Sequence, residues 1–211
     1  MKWVSGIVYS DRRTYADRFW ADGEIFAVAD GMGIGKGAVA AAEKAVDLIP
    51  KFKPYNSEEK IRENFSKINR ELIKELGKLE DSVLSGTTLS LLSFNERNFY
   101  IGHVGDSRIY LFRKGRLYRL TEDQVKIKGN KKVVKVLGLE WNPEVYTFSS
   151  HYEEGDLFLL ASDGFVEVLS EGEIEEALSC CDLEKGAERL KNMARQKGGR
   201  KEMVFLIVKT D

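Results

Sequence analysis

Three stretches of the sequence set an aspartate behind an apolar run and beside a glycine: Val28-Ala29-Asp30-Gly31, Val104-Gly105-Asp106-Ser107 and Ala161-Ser162-Asp163-Gly164. A carboxylate at a strand end is held rigidly by its sheet, while the glycine lets backbone approach closely or turn sharply. Asp-Gly behind a strand is also ordinary turn chemistry, and each aspartate taken alone reads as a turn residue. Converging, the three would form an all-oxygen site for hard divalent cations such as Mg²⁺ or Mn²⁺. Two such ions sharing a carboxylate would clamp a phosphoryl group and lower the pKa of a bridging water.

Other candidate groups carry less. Gly31, Gly33, Gly35 and Lys36 lack the spacing and the hydroxyl residue of a phosphate-binding P-loop. His103 lies in an expected strand and reads as a histidine satisfied by a neighbour rather than a general acid. His151 reads as an exposed strand end. Lys126, Lys128, Lys131 and Lys132 read as a solvated loop able to steer acidic phosphopeptides. Cys180 and Cys181 are adjacent and have no further cysteines with which to build a disulfide framework or a zinc site. They are expected to pack at a helix end as small apolar residues, which suits a reducing cytoplasm. Phe65, Phe99, Tyr110 and Phe158 read as core.

The elements that must position the aspartates follow from periodicity. The stretches 3–9 and 24–29 read as strands, and the alanine-rich run from Ala38 to Ile49 as a helix stopped by Pro50. Ser57 is a good N-cap for a long amphipathic helix to about Leu79, with Ile61, Phe65, Ile68, Leu72, Ile73 and Leu76 on one face. Strands are expected over 87–94, 98–104, 107–113 and 116–120, with turns at 95–97 and 114–115. Further strands are expected over 133–137, 144–149 and 157–162, then helices over 171–180 and 183–196 and a last strand over 203–209. That order predicts an α+β fold with antiparallel sheets, not a doubly wound one. The 211 residues suit a single domain over 1–211. Lys+Arg total 33 against 34 Asp+Glu, so no global basic field exists to hold nucleic acid or an anionic membrane. The apolar runs are too short for a membrane span, and export through a signal peptide is not expected.

Ala29-Asp30-Gly31-Met32-Gly33 resembles the signature of the metal-dependent protein serine/threonine phosphatases, the PPM or PP2C family. The remaining blocks fall in that family's order over nearly the whole chain. Ser85-Gly86-Thr87-Thr88 is similar to its SGTT strand start, and Gly105-Asp106-Ser107-Arg108 to its GDSR block. Leu120-Thr121-Glu122-Asp123-Gln124 is similar to its LT-x-DH block, and Ser162-Asp163-Gly164 to its SDG block. The resemblance implies two stacked antiparallel β-sheets flanked by pairs of helices, a four-layer α-β-β-α sandwich. It implies hydrolysis of phosphoserine and phosphothreonine in proteins by a metal-activated water at a binuclear Mn²⁺ or Mg²⁺ centre. Asp30 would bridge the two ions, the Gly31 carbonyl would contact one, and Asp163 would bind the second. Asp106 with Asp163 would make a third, weaker position. Asp17 would orient metal waters, and Arg12 would grip the phosphate in bidentate fashion. Phosphorylated proteins and a cognate Ser/Thr kinase would be the partners.

The sequence departs from the family's pattern at four places. Ala16 stands where a carboxylate is expected, leaving Asp17. Lys201 stands at the closing aspartate and Glu202 at the following asparagine. Glu202 could substitute as a ligand if a local bulge turned it inward, because alternate strand residues face opposite sides. The Lys201 ammonium could instead occupy a cation position itself, or both could be a solvated strand entry. The segment between the LT-x-DH-like block and Val134 is shorter than the family's flap. Ile34 replaces a glycine of GMGG. The alternative to an enzyme is a catalytically impaired, phosphoprotein- or kinase-binding regulatory module.

Overall fold

Apolar side chains on both faces of the central strands set the architecture. The computed structural model describes residues 1–9, 15–33, 36–79, 84–128, 131–179, 182–198 and 201–211, with the side chains of 128, 131 and 132 left aside. The first strands are β1 (Lys2–Val8), β2 (Arg18–Ala21), β3 (Ile25–Ala29) and β4 (Gly31–Met32), followed by α1 (Lys36–Leu48) and α2 (Glu58–Leu76). Then come β5 (Gly86–Thr87), β6 (Leu89–Asn95), β7 (Asn98–Val104), β8 (Arg108–Arg113) and β9 (Arg116–Arg119). They are succeeded by β10 (Val125–Lys128), β11 (Lys131–Val134), β12 (Tyr146–His151) and β13 (Leu157–Ala161). The chain closes with α3 (Asp163–Val168), α4 (Glu171–Leu178), α5 (Leu183–Lys197) and β14 (Met203–Lys209).

Two five-stranded antiparallel sheets result, β1-β14-β13-β8-β9 and β12-β7-β6-β3-β2. Alternation along each strand supplies three apolar layers. Phe26 and Val28 of β3 and Val204, Leu206 and Val208 of β14 meet between the sheets, with Phe99, Ile101, Phe158 and Leu160. The opposite face of β3 (Ile25, Ala27, Ala29) packs under α1 and α2. The opposite face of β14 (Met203, Phe205, Ile207) packs under α3, α4 and α5. These strands read as unbroken apolar runs because neither face meets water. The expected helix–sheet–sheet–helix sandwich is therefore the observed one.

Local expectations hold at α2, where the Ser57 hydroxyl accepts from Lys60 N at 3.1 Å. Ile61, Phe65, Ile68 and Leu72 are fully buried beneath it. Tyr110, Phe99 and Phe158 are core residues, as expected. Some expectations are corrected. The described residues of the basic stretch 126–132 are not a loop: β10 and β11 pair antiparallel, with Val125 opposite Val134 and Ile127 opposite Lys132. Val125 and Ile127, with Val134 across the ladder, carry a strand period that the intervening lysines obscure. The run 87–94 is two strands, broken at Thr88, because Thr87 pairs with Gly31 in a separate short ladder. The strand β2 and the short helix α3 were not anticipated. Cys180 and Cys181 lie outside the described residues.

Candidate active site

Asp30, Asp106 and Asp163 all stand just beyond strand ends, after β3, β7 and β13. Asp30 is clamped through its backbone. Its amide donates to Thr88 Oγ1 at 3.0 Å. Its carbonyl accepts from Thr88 N at 2.9 Å and from Thr87 Oγ1 at 3.0 Å. The Thr88 hydroxyl continues to Ser107 Oγ at 2.9 Å, tying this strand end to the turn that carries Asp106. The two threonines thus fix the direction in which Asp30 leaves the sheet. Gly31 follows in tight quarters: a Cβ there would lie 2.3 Å from the Ala38 carbonyl oxygen and 3.0 Å from Ala16 Cβ. Only glycine lets α1 sit this close.

Asp17 precedes β2 and is held from two sides. Its amide donates to Glu202 Oε2 at 3.0 Å, and its carbonyl accepts from Arg18 Nη1 at 2.8 Å. Arg18 is itself paired with Glu43 of α1 at 2.7 Å. Asp163 opens α3 behind Ser162. The Ser162 hydroxyl accepts from Val204 N at 3.0 Å, and Ser162 N donates to the Val204 carbonyl at 2.9 Å. Gly164 admits the segment before β14, since a Cβ there would lie 2.2 Å from the Glu202 carbonyl oxygen.

These constraints bring Ala16, Asp17, Asp30, Gly31, Asp163, Lys201 and Glu202 around one cleft of about 260 Å³. Lys201 and Glu202 both line it, which strand alternation would forbid. The reason is that both residues precede the first paired position of β14, Met203 opposite Val8, so the pleat does not govern them. No bulge is needed for both to reach the cleft. Asp106 is buried and does not line the cleft, although its charge is felt at Asp30. Arg12 lies outside the described residues. His103, fully buried, is satisfied by Ser90 Oγ at 2.8 Å and the Glu122 carbonyl at 3.1 Å, as expected of a core histidine. His151 is exposed.

The electrostatics are those of anions forced together. Burial, reinforced by Glu202 and Asp163, lifts the Asp17 carboxyl to about 7 despite a hydrogen bond from Ser162. Burial, then the charges of Asp17 and Asp163, hold Asp30 well above the usual carboxylate range. Glu202 is also raised, chiefly by burial. Lys201 Nζ donates to Asp163 Oδ2 and, at 2.8 Å, to Glu167 Oε1. Burial disfavours its charge, but these two bonds outweigh that cost and hold it above an ordinary lysine. Asp17 Oδ2 is buried without a hydrogen-bond partner.

An all-oxygen set of carboxylates and a carbonyl suits a hard divalent cation. The orphaned Asp17 oxygen and the mutually repelling Asp17 and Asp30 are what such a cation would relieve. Among the described residues, no three His, Cys, Asp or Glu side chains already form a ligand shell. An open set of this kind fits ions that bind through one or two carboxylates and retain water. Thr87, Thr88 and Ser162 are positioning groups whose role residue-by-residue reading missed; the sequence marked them only as members of the 85–88 and 162–164 blocks.

The sandwich and its acidic cleft define a protein phosphatase fold, and residues 5–205 match the Protein phosphatase 2C family, to which the chain belongs. It is 30% identical over 213 residues to the serine/threonine phosphatase stp of Listeria monocytogenes serotype 4b, covering 89% of this chain and 84% of the relative. It is 26% identical over 220 residues to the serine/threonine protein phosphatase PstP of Mycobacterium tuberculosis, covering 93% of this chain and 42% of PstP. The crystal structure of the Mycobacterium tuberculosis phosphatase PstP/Ppp superposes with a TM-score of 0.89 at 22% identity, over 100% of this chain and 98% of that one. A structure of the PstP catalytic domain in complex with two manganese ions gives the same TM-score at 24% identity, with the same coverage. Among the described residues, no helix is long and apolar enough to cross a membrane.

Proposed function

We propose that the protein hydrolyses phosphoserine and phosphothreonine esters in proteins, using Mn²⁺ or Mg²⁺ held in the Asp30 cleft. The observation that carries this reading is the convergence of Asp17, Asp30 and Asp163 from three distant segments into one pocket, at the cost of raised carboxyl pKa values. Groups kept at such a cost cluster at functional sites. Asp30 and the Gly31 carbonyl would hold the cation, with Asp163 beside them and Asp106 supplying further negative field. A divalent ion bound there would supply Lewis-acid polarisation of the phosphoryl oxygens and a more acidic water.

The chain's own residues do the rest. Asp17, its carboxyl raised by burial and by the charges of Glu202 and Asp163, would orient the waters of a bound ion inside the cleft. The threonine clamp keeps Asp30 oriented without reorganisation. Arg12 would add a planar guanidinium for the phosphate oxygens. The partners are phosphorylated proteins and the Ser/Thr kinase that modifies them, and the natural setting is the cytoplasm.

The ion pair between Lys201 and Asp163 favours one second reading, a phosphoprotein- or kinase-binding module without turnover. Hydrolysis of p-nitrophenyl phosphate and of a phosphothreonine peptide with Mn²⁺ separates the two. The enzyme reading expects turnover that falls at least a hundredfold in Asp30→Asn. A wild type as silent as Asp30→Asn, paired with activity gained in Lys201→Asp, would establish the binding module instead.

A further inference from the structure

Lys201 is an anomaly in this cleft: a lone ammonium among carboxylates that otherwise call for a divalent ion. It is not a surface lysine resting on a neighbour. The segment that carries it lies against α3, where the missing side chain of Gly164 leaves room for the Glu202 carbonyl and for Lys201 Cβ, 2.9 Å from where a Gly164 Cβ would be. The amide of Asp17 binds Glu202 from the other side. With the segment packed on Gly164 and the Glu202 side chain held by the Asp17 amide, the Lys201 stem delivers Nζ to Asp163 Oδ2 and Glu167 Oε1, one turn apart on the same face of α3. Its side chain is 38% exposed, and that of Asp163 only 17%. The ammonium thus sits on a carboxylate that lines the cleft and whose charge is felt at Asp30.

We propose that Lys201 is a built-in cation that replaces one divalent ion, so that the chain holds a single Mn²⁺ or Mg²⁺, on Asp30 and the Gly31 carbonyl. This rests on the metal-dependent reading above and sharpens its stoichiometry. Charge counting supports it. Among the described residues that line the cleft, Asp17, Asp30, Asp163 and Glu202 bring four negative charges when ionised and Lys201 returns one, so a single divalent ion leaves one negative charge. An aspartate at position 201 would bring a fifth, and two divalent ions would then be needed to leave the same residue. One lysine for one aspartate changes the charge by two, the charge of one such ion. The tethered ammonium also has no translational freedom to lose, whereas a free ion must be captured from solution.

The test is a count of bound Mn²⁺ by isothermal titration calorimetry and by electron paramagnetic resonance of the free ion. The wild type, Lys201→Asp, Lys201→Met and Asp30→Asn are compared. One Mn²⁺ per chain is expected for the wild type, two for Lys201→Asp and none for Asp30→Asn. Lys201→Met, which keeps the stem and removes the charge, is expected to admit a second ion at least tenfold more weakly than Lys201→Asp. Two ions on the wild type would show the ammonium displaced and overturn the inference while leaving the phosphatase reading intact. So would one ion on both the wild type and Lys201→Asp. The wild-type count needs no variant, so a variant that fails to fold leaves it decisive. No ion on the wild type also overturns the inference, and if neither the wild type nor Lys201→Asp then hydrolyses p-nitrophenyl phosphate, the phosphatase reading falls with it.

Discussion

Two glycines near the starts of neighbouring helices should respond to alanine with opposite signs. Gly164 is the second residue of α3 and Gly172 the second of α4. Removing backbone freedom from the unfolded chain stabilises a compatible Gly→Ala site by about 0.4–1 kcal/mol. At Gly172 nothing lies within 4 Å of the new methyl group, so that gain stands alone. At Gly164 the methyl would lie 2.2 Å from the Glu202 carbonyl oxygen. Overpacking typically costs about 1–3 kcal/mol. Here the obstacle is backbone pinned by the Ser162–Val204 pair, which places the cost in the upper part of that range. The net expectation is a loss of about 1–2 kcal/mol for Gly164→Ala. For a chain of this size 1 kcal/mol corresponds to about 2–4 °C, so Tm should fall by about 2–8 °C. Gly172→Ala should raise Tm by about 1–4 °C on the same scale. Calorimetric melts near neutral pH with a chelator present isolate the protein from metal linkage. Equal gains at both positions would show that the 201–202 segment does not lean on α3, and the account of how Lys201 is held would fail with it.

Two pH dependences follow from the buried groups. The Asp17 carboxyl is raised from 3.8 to about 7 by burial, so the metal-free native state binds its proton more tightly than the unfolded chain does. That contribution is complete below 3.8 and is lost as pH rises through about 7. Asp17→Asn cannot lose it, so its stability relative to the wild type should grow across that window by up to about 4 kcal/mol, read by urea denaturation in chelator. Parallel profiles for the two proteins would refute it. Burial depresses the His103 imidazole from 6.5 to about 4, so protonation favours the unfolded chain as pH falls through that interval, at a cost of up to about 3 kcal/mol. The imidazole resonances of the folded protein should titrate near 4, and a midpoint near 6.5 would contradict the buried, neutral assignment.

Much of this molecule was legible in the order of its residues. The runs at β3, β13 and β14 are apolar throughout because both faces are covered, and α2 shows its cap and its stripe. The aspartates behind β3, β7 and β13 stood out because strand, carboxylate and glycine are adjacent in the chain. The β10–β11 ladder was hidden by lysines set among its apolar positions, and α3 spans only six residues, too few to show a helical period. The residue types alone determined that oxygen ligands were available; it was the family resemblance that set Arg12 where a phosphate-binding arginine is expected and Lys201 where an aspartate is. Only the tertiary structure decided that Asp17, Asp30 and Asp163 share a cleft that Asp106 does not line, and that Lys201 and Glu202 both face it. Strand alternation binds a residue only once its neighbours are paired, and these two lie just outside the ladder, where a glycine on the facing helix sets their course.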